Sequence, residues 1–288
     1  HLHSSYSNDG EFAVPEIIEL CRNAGLQTIS LTDHNSVRGV SDAMVQGSTH
    51  DLKVIPGIEI DCNYQGIDLH LLGYQIQWES HDFPELEEQI NGRFMKAFPE
   101  MIRNLGKLGI KADSEEVLRR SEGKPPTAEL IAEVLLSDPR NMEINGLRPY
   151  FPGGERSDMP YINFYHDYFA QGKPAYVKVD FIDYAQAIEV IAFNGGIPVI
   201  AHPGVNLRGQ ETVIHELLDK GAVGVEVFNN YHNDQQTEYF ASMAVERKAL
   251  MTCGSDFHGK TKPLLRPGSF RSLEQYENYL IRSILELF

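Results

Sequence analysis

Amphipathic stretches alternate with short apolar runs along most of the chain. Residues 15–24 have helical spacing, with Pro15 near the first turn and Gly25 as the C-cap. The apolar, β-branched run 26–31 predicts a strand that leads into Thr32-Asp33-His34, and residues 41–44 begin another helix. Residues 54–60 and 67–74 read as two strands joined by a glycine-containing turn. After a gap the rhythm resumes: helix 185–194, strand 197–201, helix 211–220, strand 224–228, helix 235–247 and strand 249–253. Between these halves the pattern differs. Charged helical stretches at 84–108, 114–120 and 127–136 precede residues 148–160, whose prolines and glycines forbid long regular structure. The expectation is an α/β domain built from residues 1–75 and 174–288, with residues 76–173 inserted as a helical subdomain and a loop over the site.

Composition narrows the function classes. The 288 residues are 42% hydrophobic, an ordinary value for a soluble globular protein, and no apolar run reaches the roughly 18–20 residues of a membrane span. A net charge of −16 argues against a basic, nucleic-acid-coating surface. It leaves an anionic small substrate open, because bound metal ions dominate the local field of a site. Three scattered cysteines, Cys21, Cys62 and Cys253, point to neither a disulfide framework nor a four-cysteine zinc site, and Cys253 reads as a small buried residue. Cytoplasm is the expected compartment. No signal-peptide pattern opens the chain, and a few residues are expected to precede His1 in the full protein.

The chemistry concentrates at strand ends. His1 and His3 stand at i and i+2 on an extended segment, so both imidazoles face one side. Asp256 and His258 repeat that spacing. Asp33, His34, Glu59 and His202 likewise lie within or just after apolar runs, and His70 and His232 occupy similar places. In parallel α/β barrels the C-terminal strand ends converge on one face and form the active site. One such histidine is usually structural, but seven of eleven here make chance a poor account; His50, His81, His166 and His215 keep the ordinary reading. Nitrogen and carboxylate donors without thiolate suit Zn²⁺, Mn²⁺ or Fe²⁺. Glu59 is a natural bridge between two ions, which at about 3.5–4 Å apart would activate a water and neutralise a phosphoryl group.

His1-X-His3, Thr32-Asp33-His34-Asn35, Glu59, His70, Ala201-His202-Pro203-Gly204 and Gly254-Ser255-Asp256-X-His258-Gly259 resemble, in order, the motifs of the PHP (polymerase and histidinol phosphatase) superfamily. The resemblance implies a distorted (β/α)7, TIM-like barrel holding two or three divalent ions of Mn, Zn or Fe. It implies one ion on His1, His3, Glu59 and Asp256, and a second sharing Glu59 with His70 and His202. A third would take Asp9, His34 and His258. Within the superfamily, His70-Leu-Leu-Gly-Tyr74, Gly172-Lys173-Pro174-Ala175-Tyr176-Val177 and the insertion resemble the TrpH-like phosphoesterases. These hydrolyse small phosphorylated metabolites, including 3′,5′-nucleoside bisphosphates and cyclic sugar phosphates. Lys124-Pro125-Pro126-Thr127 stands where the bisphosphate phosphatases carry Arg-Pro-His, which weighs against bisphosphates, and the 148–158 loop is more similar to the cyclic-phosphate relatives.

The implied activity is a metal-dependent phosphoesterase in which a metal-activated water attacks phosphorus. It would open a cyclic sugar phosphate and then release phosphate, with Glu59 and Asp256 central to the ions. A 3′,5′-nucleoside bisphosphate phosphatase is the alternative. A C–N hydrolase with the same centre and a non-catalytic metal-stabilised module are the rivals. Arg148, Arg156, Lys173 and Arg208 are the candidate phosphate grip, since Arg binds phosphate bidentately and Lys as a point charge. His232, at a barrel-top position, is the candidate acid for the leaving oxygen or a further phosphate ligand. Asp33 should point away from His34 and support a ligand histidine. Phe164 with Tyr161, Tyr165 and Tyr168 reads as core packing rather than a base-stacking stripe. The expected partner is a small phosphorylated substrate, not a nucleic-acid polymer or a membrane; the sequence leaves the oligomeric state open.

Overall fold

The computed structural model describes residues 1–287. One seven-stranded sheet runs through it: β1 (Thr28–Leu31), β2 (Lys53–Tyr64), β3 (Ile67–Tyr74), β4 (Ile182–Asp183), β5 (Ile197–Ile200), β6 (Gly224–Phe228) and β7 (Leu250–Cys253). The spatial order is β1-β2-β3-β5-β6-β7, with the short β4 added to β2. Pairs β1–β2, β5–β6 and β6–β7 are parallel, whereas β3 is antiparallel to both its neighbours. Leu2 bridges to both Leu31 and Phe257, next to the two outer strands, so the sheet curls until one N-terminal segment touches both sides.

Two details depart from the parallel-barrel expectation. The apolar run at 54–60 extends into a twelve-residue strand because its far end pairs with β3 and β4, which leaves Glu59 in mid-strand. The β2–β3 link is a tight hairpin whose Gln65 and Gly66 both have positive φ, 51° and 89°, as a two-residue turn matched to strand twist requires. His70 therefore comes from the middle of an antiparallel strand, not from a strand end.

The helices are α1 (Val14–Asn23), α2 (Val40–Thr49), α3 (Asp82–Lys107), α4 (Ser114–Arg120), α5 (Ala128–Leu136) and α6 (Pro160–Phe164), then α7 (Tyr184–Phe193), α8 (Pro203–Asn206), α9 (Ile214–Asp219), α10 (Asp234–Arg247) and α11 (Glu277–Leu285). The pattern at 211–220 yields a 3₁₀ turn before α9, while β4, α8 and α11 had no clear signal. In α1, Glu16 accepts the Ala13 N–H, and Val14, Ile17, Ile18 and Cys21 bury against Leu2, Ile29, Leu31 and Phe257. The main core lies between the sheet and α7, α10 and the first half of α3, which buries Phe83, Leu86 and Ile90. The second half of α3 turns Phe98, Met101 and Leu105 into a separate core with α5 and Phe164. Tyr161, Tyr165 and Tyr168 pack against this second core, so the aromatic stripe belongs to it. Residues 148–159 contain only one short 3₁₀ turn, and α6 begins at Pro160. No described helix is long and apolar enough to cross a membrane.

Candidate metal centre

All nine sequence-nominated ligands meet at one end of the sheet. His1 and His3, side by side in extended backbone, bring their Nε2 atoms to 3.1 Å from each other. Glu59 Oε2 lies 3.0 and 3.1 Å from these nitrogens, and Asp256 Oδ1 lies 3.2 and 3.0 Å from them. The other Glu59 oxygen, Oε1, stands 3.0 Å from both His70 Nδ1 and His202 Nε2. One buried carboxylate thus faces two pairs of imidazoles, a bridging arrangement. Against the His3 ring, with ring centroids 3.9 Å apart, His258 brings its Nε2 to 3.1 Å from Asp9 Oδ2, with His34 Nε2 at 3.9 Å from the same oxygen.

The residues fit divalent cations. The groups His1/His3/Glu59/Asp256, Glu59/His70/His202 and His3/Asp9/His34/His258 each offer donor atoms within 4.8 Å of one another. Asp256 Oδ1 and His258 Nε2 are buried and have no hydrogen-bond partner, the condition of an atom reserved for a ligand. Electrostatics say the same. Burial disfavours charge on His1, yet Glu226, Glu59 and Asp256 together hold its pKa well above the ordinary value. Burial, with the His258 and His34 rings beside it, pushes His3 down to about 4. Burial opposes ionisation of Glu59 too, but His1, His34 and His70 hold its pKa well below the usual carboxylate range. The set is a dense mixture of carboxylates and imidazoles in which His1, His34 and His70 are held toward the protonated form by the acids around them, a positive charge that bound cations would replace.

The backbone is bent to build it. Asn35, His202 and Asp256 have φ of 56°, 21° and 49°, a region side-chain-bearing residues rarely adopt and which clusters at functional sites. Supporting contacts fix the rings. His1 Nδ1 donates to Glu226 Oε1 at 2.8 Å, and the His202 N–H donates to the other Glu226 oxygen at 3.0 Å. His202 Nδ1 donates to Asn206 at 2.9 Å, and His258 Nδ1 to the Asp256 carbonyl at 2.8 Å. Asp61 Oδ1 lies 3.2 Å from His34 Nδ1 and 3.4 Å from His70 Nε2, while Asn35 donates to its other oxygen at 2.8 Å. Asp33 does point away, but it grips Ser4 through N–H and hydroxyl at 2.6 and 2.7 Å, supporting the backbone beside His3 rather than a ring.

A cavity of about 220 Å³ opens over the centre. Its walls are mainly apolar, including Phe94, Met101, Ile162, Phe169 and Phe181, and its floor carries Asp9, His34, His70, His202 and Asp256. The nominated phosphate grip is elsewhere. Arg148, Lys173 and Arg208 are exposed and outside the lining, and Arg156 makes two bonds to Asp167 at 2.9 and 3.0 Å. These flexible side chains lie toward solvent or a nearer acid and are not brought to the cavity. His232 is likewise not brought to the cavity. It is buried behind the site, with Nδ1 donating to the Val227 carbonyl and Nε2 accepting the Gly204 N–H, both at 2.9 Å. No nitrogen remains for a substrate.

Sequence reasoning also missed members of the site. Asp61 follows Glu59 by two, the same spacing that nominated His1 and His3. Glu226 is a charge inside an apolar strand, which burial makes costly without partners. Lys262 and Tyr231 both reach Asp256 Oδ2 at 2.5 Å. Glu129 lines the cavity, where burial followed by Asp9 pushes its pKa up to about 7.

Residues 1–118 match the family model of the PHP domain. Three curated relatives each align with 90% of the chain. The phosphoribosyl 1,2-cyclic phosphate 1,2-diphosphodiesterase of Eggerthella lenta is 25% identical over 93% of its length. The 5′-3′ exoribonuclease of Haemophilus influenzae is 26% identical over 88% of its length. The 3′,5′-nucleoside bisphosphate phosphatase of Chromobacterium violaceum is 26% identical over 86% of its length. Among solved structures, an amidohydrolase from Chromobacterium violaceum with bound sulfate and no metal superposes with a TM-score of 0.78. It is 22% identical, and the match spans 98% of this chain and 95% of that one.

Proposed function

The chain carries a PHP domain, and we propose that it is a metal-dependent phosphoesterase acting on a small phosphorylated substrate in the cavity above the histidine-carboxylate centre. We read the curled sheet and its N-terminal segment as the distorted seven-stranded barrel, and residues 76–173 as an insertion that roofs the cavity. The observation that carries the reading is the bridging position of Glu59, one oxygen toward His1 and His3 and the other toward His70 and His202.

In this reading His1, His3, Glu59 and Asp256 hold one ion, Glu59, His70 and His202 a second, and Asp9, His34 and His258 a third. Divalent ions bound there supply an activated water and neutralise charge on a phosphoryl group. The chain itself orients and excludes. Glu226, by taking the His1 Nδ1–H and the His202 N–H, fixes one ligand of each of two ions, and such supporting partners sharpen geometry and affinity. The apolar walls shield the reacting group from bulk water, which strengthens every charge interaction inside. Lys124, in the segment that departs from the bisphosphate pattern, donates to the Ser5 and Ser7 carbonyls and so supports the loop before Asp9. Thr127 caps α5 by accepting the Leu130 N–H at 3.1 Å. With Lys124 and Thr127 occupied structurally, opening of a cyclic sugar phosphate followed by phosphate release is the favoured chemistry. The bisphosphate phosphatase is the second reading.

The test is turnover by Mn²⁺-, Zn²⁺- or Fe²⁺-loaded protein, read by phosphate release for 1,2- and 2′,3′-cyclic phosphates, sugar phosphates and 3′,5′-nucleoside bisphosphates and by chromatography of the products for a 5′-phosphorylated oligoribonucleotide. Turnover of a cyclic phosphate to free phosphate supports the favoured reading; turnover of bisphosphates alone selects the second. Cleavage of the oligonucleotide would overturn the expectation that no nucleic-acid polymer is bound. No release by protein carrying its metals would sink the phosphoesterase reading.

A further inference from the structure

We infer that Lys262, anchored beside the metal centre by Asp256 and Tyr231, is the side chain that grips the substrate's phosphoryl group. The inference rests on the phosphoesterase reading and supplies the protein cation that Arg148, Arg156, Lys173 and Arg208 do not.

Charge in the cavity carries the argument. Its lining includes the carboxyl groups of Asp9, Asp61, Asp68, Glu129 and Asp256, and among the described residues its only lysine or arginine is Lys262. An acidic chamber needs a cation besides its ions to draw in a phosphate, and a buried ammonium facing the cavity meets that need.

The position is built. Lys262 lies in the turn after His258, with its N–H donating to the Gly259 carbonyl at 3.0 Å and its carbonyl accepting the Leu265 N–H at 3.0 Å. Gly259 there has a φ of +81°, and a Cβ on it would meet Glu11 Oε2 at 2.4 Å, so the turn admits only glycine without rearrangement. Thr261 ties the turn to the Asp9 carbonyl at 3.2 Å.

Geometry assigns the role. Asp256 divides its carboxylate: Oδ1 faces His1 and His3, while Oδ2 lies 2.5 Å from Lys262 Nζ and 2.5 Å from the Tyr231 hydroxyl. Nζ also sits 5.4 Å from the Tyr231 ring centroid. The ammonium is therefore held one carboxylate away from the donor atoms of the centre, on the cavity side. Asp256 engages one of its three N–H donors and Tyr231 flanks it, which leaves a donor for an incoming oxyanion.

Calorimetry with inorganic phosphate as the probe tests this on the metal-loaded protein, with metal content measured on every sample. Lys262→Met should fold and keep its metals, at a lower thermal midpoint because Asp256 loses a buried partner, and should weaken phosphate binding by about tenfold or more, the loss expected for a charge-assisted contact. Lys262→Arg should recover most of the affinity. Tyr231→Phe, which leaves the charge in place, should bind phosphate within about threefold of wild type. Unchanged phosphate affinity in Lys262→Met, or loss of metal from both Lys262 variants, would assign the lysine to Asp256 alone and overturn the inference. Wild-type protein that binds phosphate through Lys262 yet hydrolyses nothing in the panel would leave the grip standing and remove the phosphoesterase reading instead.

Discussion

Replacing His232 with leucine separates a structural histidine from a catalytic one. The ring is buried, its Nδ1–H is given to the Val227 carbonyl, and its Nε2 accepts the Gly204 N–H two residues beyond His202. Leucine fills most of the space but satisfies neither group. Two lost hydrogen bonds with buried partners left open cost about 2–5 kcal/mol at neutral pH. The pH dependence is more diagnostic. Burial lowers the His232 pKa from 6.5 to about 4, so between these values the unfolded chain binds a proton that the folded chain does not. Stability from the neutral ring is therefore complete above 6.5 and lost as pH falls toward 4. At 1.36 kcal/mol per unit that is about 3 kcal/mol. Urea unfolding of metal-free wild type and His232→Leu should give a stability gap that is widest above pH 6.5 and narrows by about this amount near pH 4. Groups common to both proteins cancel in the difference. With metals restored, the folded variant should turn over within a few-fold of wild type. A variant as stable as wild type at every pH, with kcat down a hundredfold or more, would refute the reasoning and return His232 to the acid role.

Three other perturbations address the centre. Asp61→Asn should lower metal affinity about 10–100-fold, because Asp61 lies against both His34 and His70, while the ion on His1 and His3 stays; metal analysis after dialysis against a weak chelator reads the stoichiometry. Glu129→Gln should stabilise the metal-free protein increasingly as pH rises. The folded carboxyl, pushed from 4.5 up to about 7, contributes fully below 4.5 and loses that contribution through 7, so the variant should gain about 3 kcal/mol by then. A pH-independent difference in urea midpoints would contradict this. His3→Ala should abolish hydrolysis and reduce bound metal while far-ultraviolet circular dichroism stays near wild type; full activity would remove the assigned centre.

Legibility in the sequence followed the range of the physics involved. His1 with His3, and Asp256 with His258, are two-residue patterns on extended backbone, and alternation alone puts each pair on one side. Asp61 obeyed the same rule relative to Glu59 and was readable in principle. The cation proposed to grip phosphate was not readable. Arg156 is drawn to Asp167 eleven residues away, and Lys262 is drawn to Asp256 by a glycine-dependent turn, one lysine among 25 basic residues with no local pattern of its own. Topology was also hidden: the alternation of apolar runs is the same whether a strand runs parallel or, like β3, antiparallel. His70 reached the centre by a route the strand-end argument did not contain.

Glu226 marks the boundary between the two kinds of inference. A glutamate in the middle of Gly-Val-Glu-Val-Phe contradicts its own strand, and a fully buried carboxylate is tolerated only where partners satisfy it. That contradiction was a local signal of a site; the identity of the partners, His1 from the first residue of the chain and the backbone of His202, was not. Both are proposed ligands, and they belong to different donor groups of the centre. The carboxylate therefore links the ring orientation at one site to the strained backbone at the other, so a perturbation of either should be felt by both.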